Sequence, residues 1–251
     1  MASKKIQLPD VNLSEQAGVR YLHFGTPWVQ GSMEIARPFD LDLEYAQRMV
    51  GWLLLIDPLT VEHLKSLHAM HLGLGSAALT KFTYKKLLMK TTTIELNPKV
   101  IAACRLWFKL PNDNERLSVI LGDAGEVAAH ALWAGQIDAL HVDLYDEEAA
   151  APVIEGVDFY SGCRNLLTDK GVMSVNLFGR SVKFEQSYEK IESAFGPHNV
   201  CAFKPTKEGN TIVMAMKNGP IPTKEVLRVR APIIEELWYL PALKWIKVLD
   251  I

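Results

Sequence analysis

The chain reads as an α/β protein built on one doubly wound, mostly parallel seven-stranded sheet, with a small β appendage at its N-terminus. Three observations predict this. From residue 68 onward, strand-like and helix-like segments alternate, as crossover connections between parallel strands require. The last two strand-like segments, 199–205 and 210–217, are separated by only four residues and must therefore pair antiparallel. Residues 19–37 carry β-branched and aromatic residues on both sides of Gly25, Thr26 and Pro27, the pattern of short antiparallel strands about a tight turn.

In order, 40–56 opens with acidic residues suited to a helix N-terminus and spaces Leu43, Met49, Val50 and Leu53 at near-helical intervals, so a helix links appendage to core. HAMHLGL (68–74) is a strand, 77–88 a helix, TTTIEL (91–96) a strand and 98–108 a helix. LSVIL (117–121), DALHVDL (138–144) and GVMSVNLF (171–178) continue the strands, with helices over 124–133, 157–167 and 183–195 between and after them. The texture changes near residue 60. We place a boundary there, with a small N-terminal β domain and linking helix in 1–60 and the Rossmann-like doubly wound domain with a C-terminal tail in 61–251.

The 251 residues suffice for one large or two small domains, and 49% of them are apolar. The net charge of −2 leaves no basic excess to collect on phosphates, which disfavours nucleic acid as a partner. The longest apolar run, 49–56, is far below the ~18 residues that cross a bilayer, so no membrane partner is expected. The lysines of the N-terminus are followed by no apolar segment of a secretory signal, which points to the cytoplasm. Cys104, Cys163 and Cys201 form neither a disulfide set nor a metal pair and read as small buried hydrophobes.

Ligands of open α/β sheets bind beyond the carboxyl ends of the strands. The first strand is followed by Gly73-Leu74-Gly75-Ser76-Ala77, where glycines let the backbone turn sharply and let a ligand approach ahead of a helix. This is equally ordinary turn chemistry until a partner is found. Glu95 is that partner, 22 residues on at the end of the second strand, where an acid can accept from both hydroxyls of a ribose; a solvated capping glutamate is the competing reading. Asp123 follows the third strand and can accept from an exocyclic amine such as that of adenine, with the N–H of Ala124 beside it for a ring nitrogen. The fourth strand ends in Asp143-Leu144-Tyr145-Asp146. The loop is neither G-x-G-x-x-G nor a P-loop, so a nucleoside without pyrophosphate is favoured, S-adenosylmethionine and its relatives first.

The runs HLGLGSAALTKF, TTTIELNPKVIAACRLWFKLP, LSVILGDAGEV and IDALHVDLYDEE resemble the spermidine synthases and spermidine synthase-like proteins, polyamine aminopropyltransferases that share the Rossmann-like class I methyltransferase fold. The resemblance covers roughly 19–217. It implies that Gly73, Gly75, Ser76, Glu95, Asp123 and Ala124 hold decarboxylated S-adenosylmethionine, that Asp143 accepts the proton of the amine substrate, and that Tyr45 and Gln30 line the polyamine side. Asp146 would hold an amine, and Tyr145 would offer an aromatic face or hydroxyl, against a plain packed-loop reading. Two departures stand out. Ser76 replaces a family Asp that holds the aminopropyl ammonium, exchanging a charge for a neutral hydroxyl. Asp143-Leu144-Tyr145-Asp146-Glu147 keeps both acids of the family segment without its proline.

The expected chemistry is aminopropyl transfer to a polyamine such as putrescine, with the decarboxylated nucleoside as co-substrate and no metal. Two alternatives stay open: a methyltransferase using intact S-adenosylmethionine on a small molecule, motivated by Ser76, and a non-catalytic nucleoside-binding relative. His23, His71 and His141 have no metal spacing and read as core groups. The apolar tail with Leu237, Trp238, Leu240, Leu243, Trp245 and Ile246 packs back on the domain or forms a homodimer interface.

Overall fold

The computed structural model describes residues 8–144, 156–178 and 182–251. Near the N-terminus β1 (Asn12–Gln16), β2 (Val19–His23) and β3 (Gly31–Glu34) form an antiparallel sheet in that spatial order. Ala17 and Gly18 turn the first hairpin with positive φ at both positions, the hand that matches the twist of the flanking strands. NLSEQ has no strand signature of its own because all five residues of β1 are exposed. The segment read as one helix over 40–56 is divided into α1 (Glu44–Met49) and a 3-10 turn, Gly51–Leu54. Gly51 sits where no side chain fits: a Cβ there would lie 2.8 Å from the Phe203 ring.

After α2 (Val61–Ser66) the alternation begins: β4 (His68–Leu72), α3 (Ala78–Lys85), β5 (Lys90–Glu95), α4 (Pro98–Trp107), β6 (Leu117–Leu121), α5 (Ala124–Ala129), β7 (Ile137–Val142), α6 (Val157–Leu166), β8 (Leu167–Phe178) and α7 (Val182–Phe195). It closes with β9 (Val200–Phe203), β10 (Asn210–Met216), α8 (Lys224–Trp238), α9 (Ala242–Val248) and β11 (Leu249–Asp250). The sheet order is β11-β9-β10-β8-β7-β4-β5-β6. The five strands from β8 to β6 are parallel, and β10 and β9 form the antiparallel hairpin. The eighth strand, β11, is two tail residues that cover the edge of β9.

Apolar layers cover both faces. One holds Trp52, Leu53, Phe82 and Phe203 together with Ile234, Trp238, Trp245 and Ile246 of the tail; the other packs Phe159, Tyr160, Leu166 and Ile191 on Met70, Leu140 and Val175. The tail therefore packs back on the domain, and Leu41 to Leu59 enter the same core as the sheet. A third cluster seats Leu22, Phe24 and Met33 of the small sheet on Leu74, Ala77, Val100 and Cys104. All three cysteines are buried and unbridged. His71 and His141 pair across β4 and β7 with rings stacked at 4.5 Å. Trp52 Nε1 donates to His141 Nε2 at 2.8 Å, and His71 shares a 2.9 Å hydrogen bond with Thr83. Burial pushes both imidazoles down, that of His141 to about 3, so they are neutral core groups. His23 instead lies near the surface, bonded to Ser14 and to the carbonyl of Trp28.

Lys81 on α3 is also buried, its Nζ donating to the carbonyl of Phe108 at 2.7 Å at the end of α4. Burial lowers its pKa from 10.5 to about 8. A lowered ammonium pKa means that the unfolded chain binds more protons between those two values, so this group's stability cost is full below pH 8 and fades as pH rises toward 10.5. At ~1.4 kcal/mol per pKa unit the cost near neutrality is about 3 kcal/mol, partly offset by the ~1 kcal/mol bond to Phe108. Lys81→Met should therefore match or exceed the parent in denaturant unfolding at pH 7, and the parent should gain on it by pH 10; a stability difference that does not move with pH contradicts this account.

Candidate active site

Strand order reverses between β4 and β7, and the turns beyond these strands meet at that point. Asp143 N donates to Leu72 O at 3.0 Å, Gly73 N to Ile94 O at 2.9 Å, and Gly122 N to Glu95 O at 3.0 Å. One hydrogen-bonded rim thus carries the ends of β7, β4, β5 and β6, with Asp143, Gly73, Glu95 and Asp123 in sequence along it. Gly73 has φ of +96°, and its Cα faces the carbonyl oxygen of Asp143 so closely that any Cβ would overlap it. Gly75 has φ of +50°, and Ala77 follows at +59° just ahead of α3.

Glu95 is partly buried and bridges the rim: Oε2 accepts from Leu74 N at 2.9 Å in the glycine turn, and Oε1 accepts from Asn97 N at 2.8 Å. It is therefore not a solvated cap. Burial raises its pKa, while these backbone donors oppose the rise. Asp123 Oδ1 accepts from Gly125 N at 2.6 Å and Glu126 N at 3.2 Å, so Asp123 is the N-cap of the helix that begins at Ala124. Ser76 turns the other way. It is buried, and its Oγ donates to Ser32 O of β3 at 3.0 Å. A Cβ on Gly31 would lie 2.6 Å from that Oγ, so β3 is pressed onto the glycine turn and the position has no room for a larger side chain.

Between this rim and the small sheet lies a cavity of about 470 Å³, within the range of small-molecule sites. Gln30, Tyr45 and Asp143 line it, joined by Asn176 of β8 and Asn210 of β10, by the aromatic faces of Tyr21, Trp28 and Phe178, and by Asp42, Glu44 and Glu208. Asp143 is held on two sides. Asn176 Nδ2 donates to its Oδ1 at 3.0 Å and is itself held at Oδ1 by Asn210 Nδ2 at 3.1 Å; the Tyr45 hydroxyl donates to the same carboxylate. Burial raises the pKa of Asp143 from its ordinary value, and the two hydrogen bonds oppose the rise. Burial, and then the charge of Asp143, raise Tyr45 well above 10, so it stays a donor.

The structure thus brings Gln30, Tyr45 and Asp143 to one cavity and sets Gly73, Gly75, Glu95, Asp123 and Ala124 along the adjoining rim, while Ser76 faces the small sheet. Tyr145 and Asp146 lie outside the described residues. Sequence reading missed Asn176 and Asn210, although each is a lone amide at one end of an otherwise apolar strand segment, where a buried polar group needs a partner. It also missed Trp28, 65% exposed at the cavity mouth, for which the cue was an aromatic inside the turn of 24–30.

No protein-family model matches the chain. The polyamine aminopropyltransferase of Neisseria meningitidis serogroup A is 30% identical over 217 residues, which are 86% of this chain and 79% of that protein. The chain belongs to the polyamine aminopropyltransferases. Among solved structures, a probable spermidine synthase from Corynebacterium glutamicum superposes with a TM-score of 0.72 at 16% identity, covering 88% of this chain and 83% of that one. Human methyltransferase-like protein 13, in complex with SAH, gives 0.69 at 19% identity over 79% and 93%. Both show the class I methyltransferase fold expected from the sequence. Among the described residues no helix is long and apolar enough to cross a membrane.

The Tyr45–Asp143 contact has a measurable consequence for this aminopropyltransferase-family chain. Tyr45 stabilises the ionised form of Asp143, so removing its hydroxyl raises the pKa of that carboxylate further. In Tyr45→Phe the acidic limb of the kcat/KM profile should move to higher pH, with the loss of rate concentrated below it. A profile superimposable on the parent's would show that the contact does not tune the acid.

Proposed function

We propose that this aminopropyltransferase moves the aminopropyl group of decarboxylated S-adenosylmethionine to a polyamine such as putrescine. One observation carries the reading: among the described residues, the charged groups lining the cavity are Asp42, Glu44, Asp143 and Glu208, with no Lys, Arg or His. A cavity with that lining attracts ammonium groups and repels the carboxylate of intact S-adenosylmethionine, which favours the decarboxylated nucleoside over the methyl donor. Aromatic faces from Trp28, Tyr21 and Phe178 suit a cationic chain as well.

In this reading the nucleoside lies along the rim. Glu95 takes the ribose hydroxyls on lone pairs not used by Leu74 and Asn97, Asp123 and the N–H of Ala124 take the adenine, and Gly73 and Gly75 admit it to the backbone. The acceptor arrives mostly as an ammonium, and Asp143, with its raised pKa, accepts that proton. The freed nitrogen lone pair attacks the propyl carbon bonded to the sulfonium sulfur, that carbon–sulfur bond breaks as the new nitrogen–carbon bond forms, and 5′-methylthioadenosine leaves. The protein's contribution is mainly placement of two cationic reactants in line. Asp146 and Tyr145 complete the amine side, and Gln30 with Tyr45 borders it. We further propose that residues 1–60 act as the unit that roofs this cavity over the 61–251 domain, that the enzyme is cytoplasmic, and that it forms a homodimer.

Purified protein should release 5′-methylthioadenosine from decarboxylated S-adenosylmethionine plus putrescine. Asp143→Asn should lower kcat by about 10²–10⁴ without lowering Tm, since it removes a buried carboxylate rather than a packing contact. Absence of product with every diamine tried would overturn the reading. S-adenosylhomocysteine binding more tightly than methylthioadenosine in calorimetry would favour the methyl donor instead.

A further inference from the structure

Of the four carboxylates that the described residues bring to the cavity, three are already engaged. Asp143 receives Tyr45 and Asn176, Asp42 Oδ2 accepts from Ser32 Oγ at 2.5 Å, and Glu44 pairs with Arg48 at 2.5 Å. Glu208 has no hydrogen bond or ion pair with any described residue, and it is exposed at the mouth. Its backbone is not loose. Thr206 N donates to Asn210 O at 2.8 Å, Gly209 N to Thr206 O at 3.2 Å, and Asn210 N to Thr206 Oγ1 at 3.2 Å, closing a tight turn in which Gly209 takes φ of +102°. Thr206 at its base is buried. The same turn leads directly into Asn210, which holds Asn176, which holds Asp143. Glu208 and Asp143 therefore line one cavity, and the turn that carries Glu208 continues into the hydrogen-bonded chain that holds Asp143.

We propose that Glu208 is a specificity-determining residue that receives the far ammonium of a linear diamine whose near nitrogen sits at Asp143. The inference rests on the aminopropyl-transfer reading and adds to it a second anchor: a linear diamine carries an ammonium at each end, and the cavity offers a carboxylate to each. Asp143 acts on the nitrogen that reacts, and Glu208 holds the one that does not. Lys207 next to it does not line the cavity, so the turn presents a negative group inward.

The test compares parent, Glu208→Gln and Glu208→Asp with 1,4-diaminobutane, 1,5-diaminopentane and butylamine as acceptors. Glu208→Gln should raise KM for the diamines threefold to tenfold, the scale of a partly exposed charge pair, with kcat within twofold and butylamine unaffected. Glu208→Asp should restore diamine binding and shift the preference toward the longer chain. The same amines titrated calorimetrically in the presence of 5′-methylthioadenosine give the parallel readout without turnover. Diamine affinity unchanged in Glu208→Gln, or diamine and monoamine weakened alike, overturns the assignment. If the parent turns over no amine, aminopropyl transfer fails, yet the calorimetric difference between diamine and monoamine still decides the role of Glu208.

Discussion

The close approach of Gly73 to the carbonyl of Asp143 is the constraint from which the arrangement of the site follows. It occurs where strand order reverses, so the turn that would admit the nucleoside and the acid that would serve the amine share one point of backbone contact. Because Gly73 has no side chain and lies at positive φ, the two turns can touch without an intervening group. Glu95 then locks the turn from the other side through Leu74 N. A two-substrate displacement gains most from fixed separation between the reactants, and here that separation is set by backbone rather than by long side chains.

The small sheet belongs to the same mechanism of placement. Leu22, Phe24 and Met33 seat it on the glycine turn, and Gly31 lets β3 approach Ser76 to within a few ångströms. Ser32 then works in two directions: its carbonyl accepts from Ser76 and its hydroxyl donates to Asp42. One residue thus ties the glycine turn to a carboxylate of the cavity. The neutral Ser76, read from sequence as a charge removed from the cofactor, is accounted for by packing: the space a longer acid would need is occupied by β3.

Most of the fold was legible because its signals are local. The buried parallel strands are short apolar runs, and their connections are too long for hairpins and too short for a second domain. β1 was not, since a fully exposed edge carries no alternation, and β11 is two residues whose pairing depends on where the tail happens to fold. The site divides along the same line. The placement of Gly73, Glu95, Asp123 and Asp143 along one rim could be read because it depends only on position after a strand. Asn176, Asn210, Asp42 and Glu208 could not, because they reach the cavity from β8, β10, the segment before α1 and the β9–β10 turn, and only the sheet order brings those together.

The same distribution explains why the carboxylates of one cavity do different work. Asp143 is recessed and hydrogen-bonded, so burial raises its pKa while Asn176 and Tyr45 oppose the rise. Asp42 is fixed by Ser32, and Glu44 is neutralised in part by Arg48. Four bare carboxylates in so small a space would repel one another and the fold would bear the cost; among the described residues three are satisfied and one, at the mouth, is free. An acid that must exchange a proton needs shielding and neighbours, whereas an acid that only needs to attract a passing cation works best exposed and unpaired. The cavity supplies the first at its base and the second at its rim, and a linear polycation is the shape of ligand that can answer both at once.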